Sequence, residues 1–290
     1  MVSRLNRTLS KWNMISKEVN SKLGEAQLSV KNLSVASRTP FAVALKNVDL
    51  TVRSGEVLAI AGIAGNGQSE LFDVLSGECP VNDASAIEIR GNAVGKLGIN
   101  ARRRLGAGFV PEERHGHAAV SSMSLSDNLL LARSSSDAKA FLGGGFFRFI
   151  KHDAIRAAAK RISEAMDVRK SGEDPAAASL SGGNLQKFIV GRELDRQPTL
   201  LIVNQPTWGV DAGAASRIRQ ALVDLAKSGS AVVVISQDLD EIFEVASNIA
   251  VISDGKLSKA YPADEITLEQ IGLLMGGVEG AQTEGAANAH

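Results

Sequence analysis

Apolar and polar positions along the 290-residue chain change period several times, and each change marks an element. Leu28-Ser29-Val30-Lys31-Asn32-Leu33 and the stretch Leu45 to Val52 alternate apolar and polar, which predicts two half-buried strands with a turn at Ser37-Arg38-Thr39-Pro40. Val57-Leu58-Ala59-Ile60-Ala61 is apolar throughout and reads as a buried strand. A glycine-rich stretch follows, then Glu70-Leu71-Phe72-Asp73-Val74-Leu75, a helical pattern that stops at Gly77. Short strands are predicted at Ile87 to Arg90 and at Gly108 to Val110. From about His115 to Pro175 the period is helical, and Lys151 to Asp167 places Ile155, Ala158, Ala159, Ile162 and Met166 on one face. A helix opens near Leu180 and runs to about Arg196, and another covers 214–228. Thr199 to Val203 and Ala231 to Ile235 are nearly all apolar, as central parallel strands are. Asn248–Ser253 and Lys256–Tyr261 predict a hairpin around Asp254-Gly255. Strands alternating with helices, interrupted by a helical insert, predict an α/β fold on a mainly parallel sheet.

Composition narrows the class without naming a function. Hydrophobic content of 44% and charged content of 22% are those of an ordinary globular domain. A net charge of +0 gives no chain-wide attraction to nucleic acid or anionic lipid. The single cysteine, Cys79, excludes a disulfide within the chain. No apolar run approaches bilayer length, and the first residues lack the apolar core of a signal peptide. Residues 1–25 read as a polar tail or linker with room for one short helix, and 277–290 as a disordered tail.

The glycine-rich stretch carries the first chemistry. Gly62-Ile63-Ala64-Gly65-Asn66-Gly67-Gln68-Ser69 follows a strand and opens a helix, the setting of a phosphate-binding loop. Its glycines let backbone N–H groups converge on an anion at a helix N-terminus, and Ser69 retains the hydroxyl suited to Mg²⁺. Glutamine stands at 68 where the pattern has lysine. A strand-to-helix turn that binds nothing is the competing reading; a dinucleotide loop fails because Glu70 replaces its third glycine.

Two further motifs follow in order: Leu180-Ser181-Gly182-Gly183-Asn184-Leu185-Gln186, and a strand ending in Val203-Asn204-Gln205-Pro206-Thr207 with Gly209-Val210-Asp211 after it. Together with Val110-Pro111-Glu112-Glu113-Arg114, Met123 to Leu129 and Ser236-Gln237-Asp238-Leu239-Asp240-Glu241-Ile242, they resemble the nucleotide-binding domain of an ATP-binding-cassette transporter. The resemblance runs from about Leu28 to Tyr261. It is nearest to the second half of the double-length ATPase subunits of sugar and nucleoside importers. It implies a P-loop NTPase core with an antiparallel β subdomain and a helical subdomain at about 115–178, the whole domain spanning 26–276. The family has Pro-Glu-Asp-Arg in the charged loop; Glu113 replaces that aspartate here.

By that resemblance two domains face each other head to tail, each ATP held between one phosphate loop and the opposite Leu-Ser-Gly-Gly signature. ATP and Mg²⁺ are the implied cofactors. Gly62, Gly65, Asn66, Gly67, Gln68, Ser69, Glu70, Glu112, Ser181, Gly182, Gly183, Gln186 and Asp211 are the implied nucleotide contacts, with Ser69 toward the metal. The catalytic set is degenerate: Gln68 replaces the lysine, Asn204 the metal-binding aspartate, Gln205 the general-base glutamate and Gln237 the switch histidine. Glu112 stands for a glutamine, and Val35 and Ala36 stand where an aromatic would stack on adenine. The expected partners are a first nucleotide-binding half, a transmembrane permease and, indirectly, a solute-binding protein, with no nucleic acid. The expected place is the cytoplasmic face of the plasma (inner) membrane, peripheral through the permease. The Phe146-Phe147-Arg148-Phe149 cluster and the Glu112–Arg114 loop lie where the family docks a permease helix, although such a cluster is more often core. A non-transport regulatory module and a fragment of a split gene are the alternative readings. His115 and His117 read as solvated loop residues rather than metal ligands, and Trp208 either packs on a partner or fills a local hole.

Overall fold

A computed structural model describes residues 23–143 and 149–277. The Phe146-Phe147-Arg148 part of the phenylalanine cluster, the helix allowed for near the N-terminus and the C-terminal tail from 278 lie outside the described residues.

Two sheets organise the chain. β1 (Ala26–Val35) and β2 (Leu45–Arg53) pair antiparallel, and β4 (Ile87–Ile89) and β5 (Asn92–Ala93) complete a four-stranded sheet in the order β2-β1-β4-β5. The alternation in β1 is broken once. Asn32 takes a left-handed φ of 46°, the register shifts between Val30 and Leu33, and Leu33 is thereby returned to the core beside Leu28 and Val30. Asn47 does the same in β2 with φ 48°, and the Ser34 hydroxyl donates to its Oδ1.

The second sheet is built on β3 (Val57–Ala61), β6 (Ala107–Val110), β7 (Leu200–Asn204), β8 (Ala231–Ser236) and β9 (Asn248–Ser253), all parallel in the order β9-β3-β8-β7-β6. β10 (Lys256–Leu257) and β11 (Tyr261–Pro262) add antiparallel edges to β9. The turn from β9 to β10 has left-handed backbone at Asp254 (φ 48°) and Gly255 (φ 73°), the type I′ geometry that an Asp-Gly pair favours. Both faces of the parallel strands are buried, which explains their unbroken apolar runs. Leu201, Val203, Val232 and Val234 face the core shared with the helical insert; Ile202, Val233 and Ile235 face the antiparallel sheet.

The helices are α1 (Gln68–Ser76), α2 (Ile99–Arg104), α3 (Leu125–Arg133), α4 (Ala138–Phe141), α5 (His152–Ala165), α6 (Gly182–Leu194), α7 (Ala212–Lys227), α8 (Leu239–Val245) and α9 (Leu268–Met275). The five residues predicted for the apolar face of α5 are all buried, and α5 packs with α3 and α6 to form the helical insert. Phe141 is buried there, while Phe149 is 63% exposed. No helix among the described residues is long and apolar enough to cross a membrane.

Two charged arrangements brace this frame. Arg102 is fully buried and donates to Val74 O (2.6 Å) and Leu75 O (2.7 Å), capping the last turn of α1 with a cation where the helix dipole favours one. Burial pushes its pKa down to about 10. Glu193, also fully buried, ties α6 to α2 through Arg103 at 2.7 Å.

Candidate functional site

The predicted phosphate loop runs from the end of β3 into α1. Gly65 (φ 81°) and Gly67 (φ 109°) take left-handed backbone that a side chain would strain, and a Cβ on Gly67 would also press on Gly255. The β9–β10 turn clamps the loop: Asp254 N–H donates to Asn66 Oδ1 and Gly255 N–H to Asn66 O, both at 2.9 Å. Glu70, in the first turn of α1, accepts Val43 N–H at 3.0 Å, so it orders the segment before β2.

Gln68 turns its side chain back into this loop and is only 5% exposed. Its Oε1 accepts Asn66 N–H at 3.1 Å, and its Nε2 donates to Ile63 O at 2.8 Å. The amide thus occupies one backbone N–H of the loop, that of Asn66. Nε2 also lies 2.6 Å from the Cβ position of Gly62, so that glycine makes room for it. Beyond the loop, Ser69 is exposed, and Asn204 Oδ1 is buried without a hydrogen-bond partner. No group of three or more His, Cys, Asp or Glu able to hold a metal occurs among the described residues. Gln68 and Asn204 are both neutral, where phosphates favour a cation and Mg²⁺ an anion, so they fit a nucleoside triphosphate with its metal poorly.

The loop after β7 is drawn tight. Gln205 is 4% exposed, holds a left-handed φ of 52°, and donates its N–H to Ile235 O at 2.8 Å. Thr207 and Ser236 both donate to Glu241, at 2.8 and 2.6 Å, linking this loop to the end of β8. Burial pushes the Glu241 carboxyl up, against the pull of those two hydroxyls. Gln237 is exposed just after β8. Trp208 is 62% exposed, so it fills no local hole. Asp211 accepts Ala214 N–H at 2.9 Å and caps α7; that bond holds its carboxyl below the usual range.

The Leu180-Ser181-Gly182-Gly183 stretch leads into α6. Ser181 is the N-cap of α6, with its hydroxyl accepting from Asn184 Nδ2 at 3.0 Å and from Asn184 N at 3.4 Å. Gly182 and Gly183 occupy the first two helical positions, whose N–H groups have no partner within the helix. Gln186 is 1% exposed and donates to Pro206 O at 2.9 Å while accepting from Arg114 Nε at 3.2 Å. One buried amide therefore joins the signature helix, the loop after β7 and the charged loop after β6. Glu112 is exposed on that charged loop.

A groove of about 230 Å³ opens between the core and the helical insert, lined by Glu78, Arg103, Phe109, His117, Asn128 and Arg192 among others. His117 Nε2 lies 2.7 Å from Glu78 Oε2, and His115 Nδ1 lies 3.0 Å from the Ser121 hydroxyl, so both histidines have protein partners. Sequence reasoning missed three features: the fold-back of Gln68, the Gln186 junction, and Phe41, which is 98% exposed two residues before the anchored Val43. The last had a signal, an aromatic a few residues beyond the first strand.

Comparison with known proteins agrees with this geometry. The ABC transporter family matches over residues 45–208. A glucose import ATP-binding protein of Haloferax volcanii is 38% identical over 91% of this chain and 47% of its own length. A nucleoside import ATP-binding protein of Lactococcus lactis is 35% identical over 91% of this chain and 51% of its own. The chain thus spans about half the length of these curated relatives. Among solved structures, a dimeric ATP-binding cassette in a post-hydrolysis state with ADP and Pi superposes with a TM-score of 0.68 at 19% identity, over 81% of this chain and 98% of that one. With a phosphate-type loop after β3, a Leu-Ser-Gly-Gly stretch at the N-terminus of α6 and a family match over residues 45–208, the chain belongs to the ABC transporter ATP-binding family.

Proposed function

We propose that this chain is the degenerate second nucleotide-binding half of an importer ATPase for a sugar or nucleoside. The observation that carries this reading is an asymmetry within one chain: the signature helix presents its N-terminus intact, while Gln68 fills its own phosphate loop. The relatives, named as import ATP-binding proteins for glucose and nucleosides, support the substrate class.

In this reading Ser181, Gly182 and Gly183 face the terminal phosphate of an ATP seated on a first nucleotide-binding half. A hydroxyl and helix N-terminal N–H groups suit that charge. ATP and its Mg²⁺ would supply the phosphoryl chemistry on the partner's loop. On this half, Asn204 and Gln205 offer neither an anionic metal ligand nor a base, and Ser69 alone reaches toward a metal. A permease occupies the groove between core and helical insert, and places the chain peripherally on the cytoplasmic membrane face, with a solute-binding protein acting indirectly.

The isolated chain should bind ATP weakly and release almost no phosphate. Gln68→Ala frees the Asn66 N–H and should tighten ATP binding about two- to tenfold, the worth of one net hydrogen bond. Gln68→Lys should tighten it by roughly ten- to a hundredfold through a charge-assisted contact. Neither variant should hydrolyse ATP faster. Isothermal titration and phosphate release measure both quantities; brisk turnover by the purified chain alone would sink the reading.

A further inference from the structure

Arg114 is a cation without a counter-ion. Its Nε donates to the neutral Gln186 amide, and no carboxylate acts on it among the described residues. Its Nη2 is buried and has no hydrogen-bond partner. Burial alone pushes its pKa down, with no opposing anion. The guanidinium lies between two glycines: Nη1 is 2.7 Å from the Cβ position of Gly182, and Nη2 is 3.3 Å from that of Gly209. Any side chain at Gly182 would displace it, and Gly209, at φ +61°, meets it from the loop after β7. The charge is therefore stored directly behind the first turn of α6, whose N-terminus already carries partial positive charge. Two like charges placed together and partly desolvated are unfavourable unless an anion joins them.

Resting on the proposed role of the signature, we propose that Arg114 is the charged element this half contributes to the partner's nucleotide: a positioning residue that holds the polyphosphate on Ser181–Gly183 by charge. Arg114 stands in for part of the positive charge that Gln68 no longer provides, but on the opposite ATP. The guanidinium also keeps Gln186 oriented toward Pro206, so the phosphate seat and the loop after β7 respond to it together.

The test uses the assembled pair of halves with the permease and ATP as the probe. Arg114→Gln should raise the KM for ATP at least tenfold, in line with loss of one charge-assisted contact. Arg114→Lys, which keeps the charge, should recover most of that loss. The KM of the wild type should rise with added salt more steeply than that of Arg114→Gln. A purely structural Arg114 would instead lower the melting temperature in both variants and leave the salt dependence unchanged. If Ser181→Arg abolishes turnover while Arg114→Gln leaves the KM within twofold, this inference fails and the signature reading stands. If Ser181→Arg is harmless, the signature reading itself fails.

Discussion

Ser181→Arg should reduce ATP hydrolysis by the assembled pair at least a hundredfold while leaving the chain folded. The effect follows from position. Ser181 caps α6, and among the described residues its hydroxyl bonds to Asn184 alone, so the cap itself is worth about 1 kcal/mol. That is a small fraction of the stability of a domain this size. In the proposed reading, however, the hydroxyl and the Gly182 and Gly183 N–H groups form the seat of the terminal phosphate of the partner's ATP. A guanidinium there fills it with bulk and replaces donors aimed at the phosphate. Loss of a single such donor lowers kcat by about 10²–10³ elsewhere. Steady-state ATPase and a thermal melt on the same preparation separate the two effects. A harmless substitution would mean the signature serves no nucleotide.

The largest stability effect should come from Glu193→Gln. Its carboxylate, fully buried in the last turn of α6, meets Arg103 at 2.7 Å, Arg192 at 3.2 Å and Arg196 at 3.4 Å. Burial alone would push this carboxyl up; Arg103, Arg192 and Arg196 overcome it and hold the pKa at about 2. Removing the charge leaves three desolvated guanidiniums around a neutral amide, which costs about 3–5 kcal/mol. The same carboxylate sets an acid limit. Its folded pKa lies below its ordinary value of 4.5, so its stabilisation is complete above that value and is lost as pH falls from about 4.5 toward 2. Urea unfolding at pH 7 and pH 3.5 should show the wild type losing stability over this interval and Glu193→Gln losing less. Equal acid sensitivity in the two proteins would show that Glu193 titrates without linkage to folding.

Much of the fold was legible in the sequence because the parallel strands are buried on both faces and their runs are unbroken. The strand–loop–helix at 57–76 and the Asp254-Gly255 turn follow from local chemistry alone. Element edges moved where pairing decides them: β7 extends to Asn204 because Asn204 pairs with Ile235 on β8. The bulge at Asn32 overrides strict alternation, and an asparagine able to take left-handed backbone was its only local sign. In the candidate site the degenerate positions were legible as residue types, but their side-chain directions were not. Nothing in the order Asn66-Gly67-Gln68 requires the glutamine to turn back on the loop; that depends on the room Gly62 leaves. Likewise Arg114, Gln186 and Pro206 are far apart in the chain, and only the packing of the charged loop against α6 brings them together.

In the proposed assembly one pair holds one productive ATP, seated on the partner's loop and closed by this chain's signature. Vanadate trapping of the pair, followed by counting the bound ADP and locating a photoreactive ATP analogue by peptide mapping, tests it directly. The expected result is one trapped nucleotide per pair, with the label on the partner's phosphate loop and none on residues 62–69 of this chain. Two trapped nucleotides per pair, or label on this chain's own loop after turnover, would contradict it.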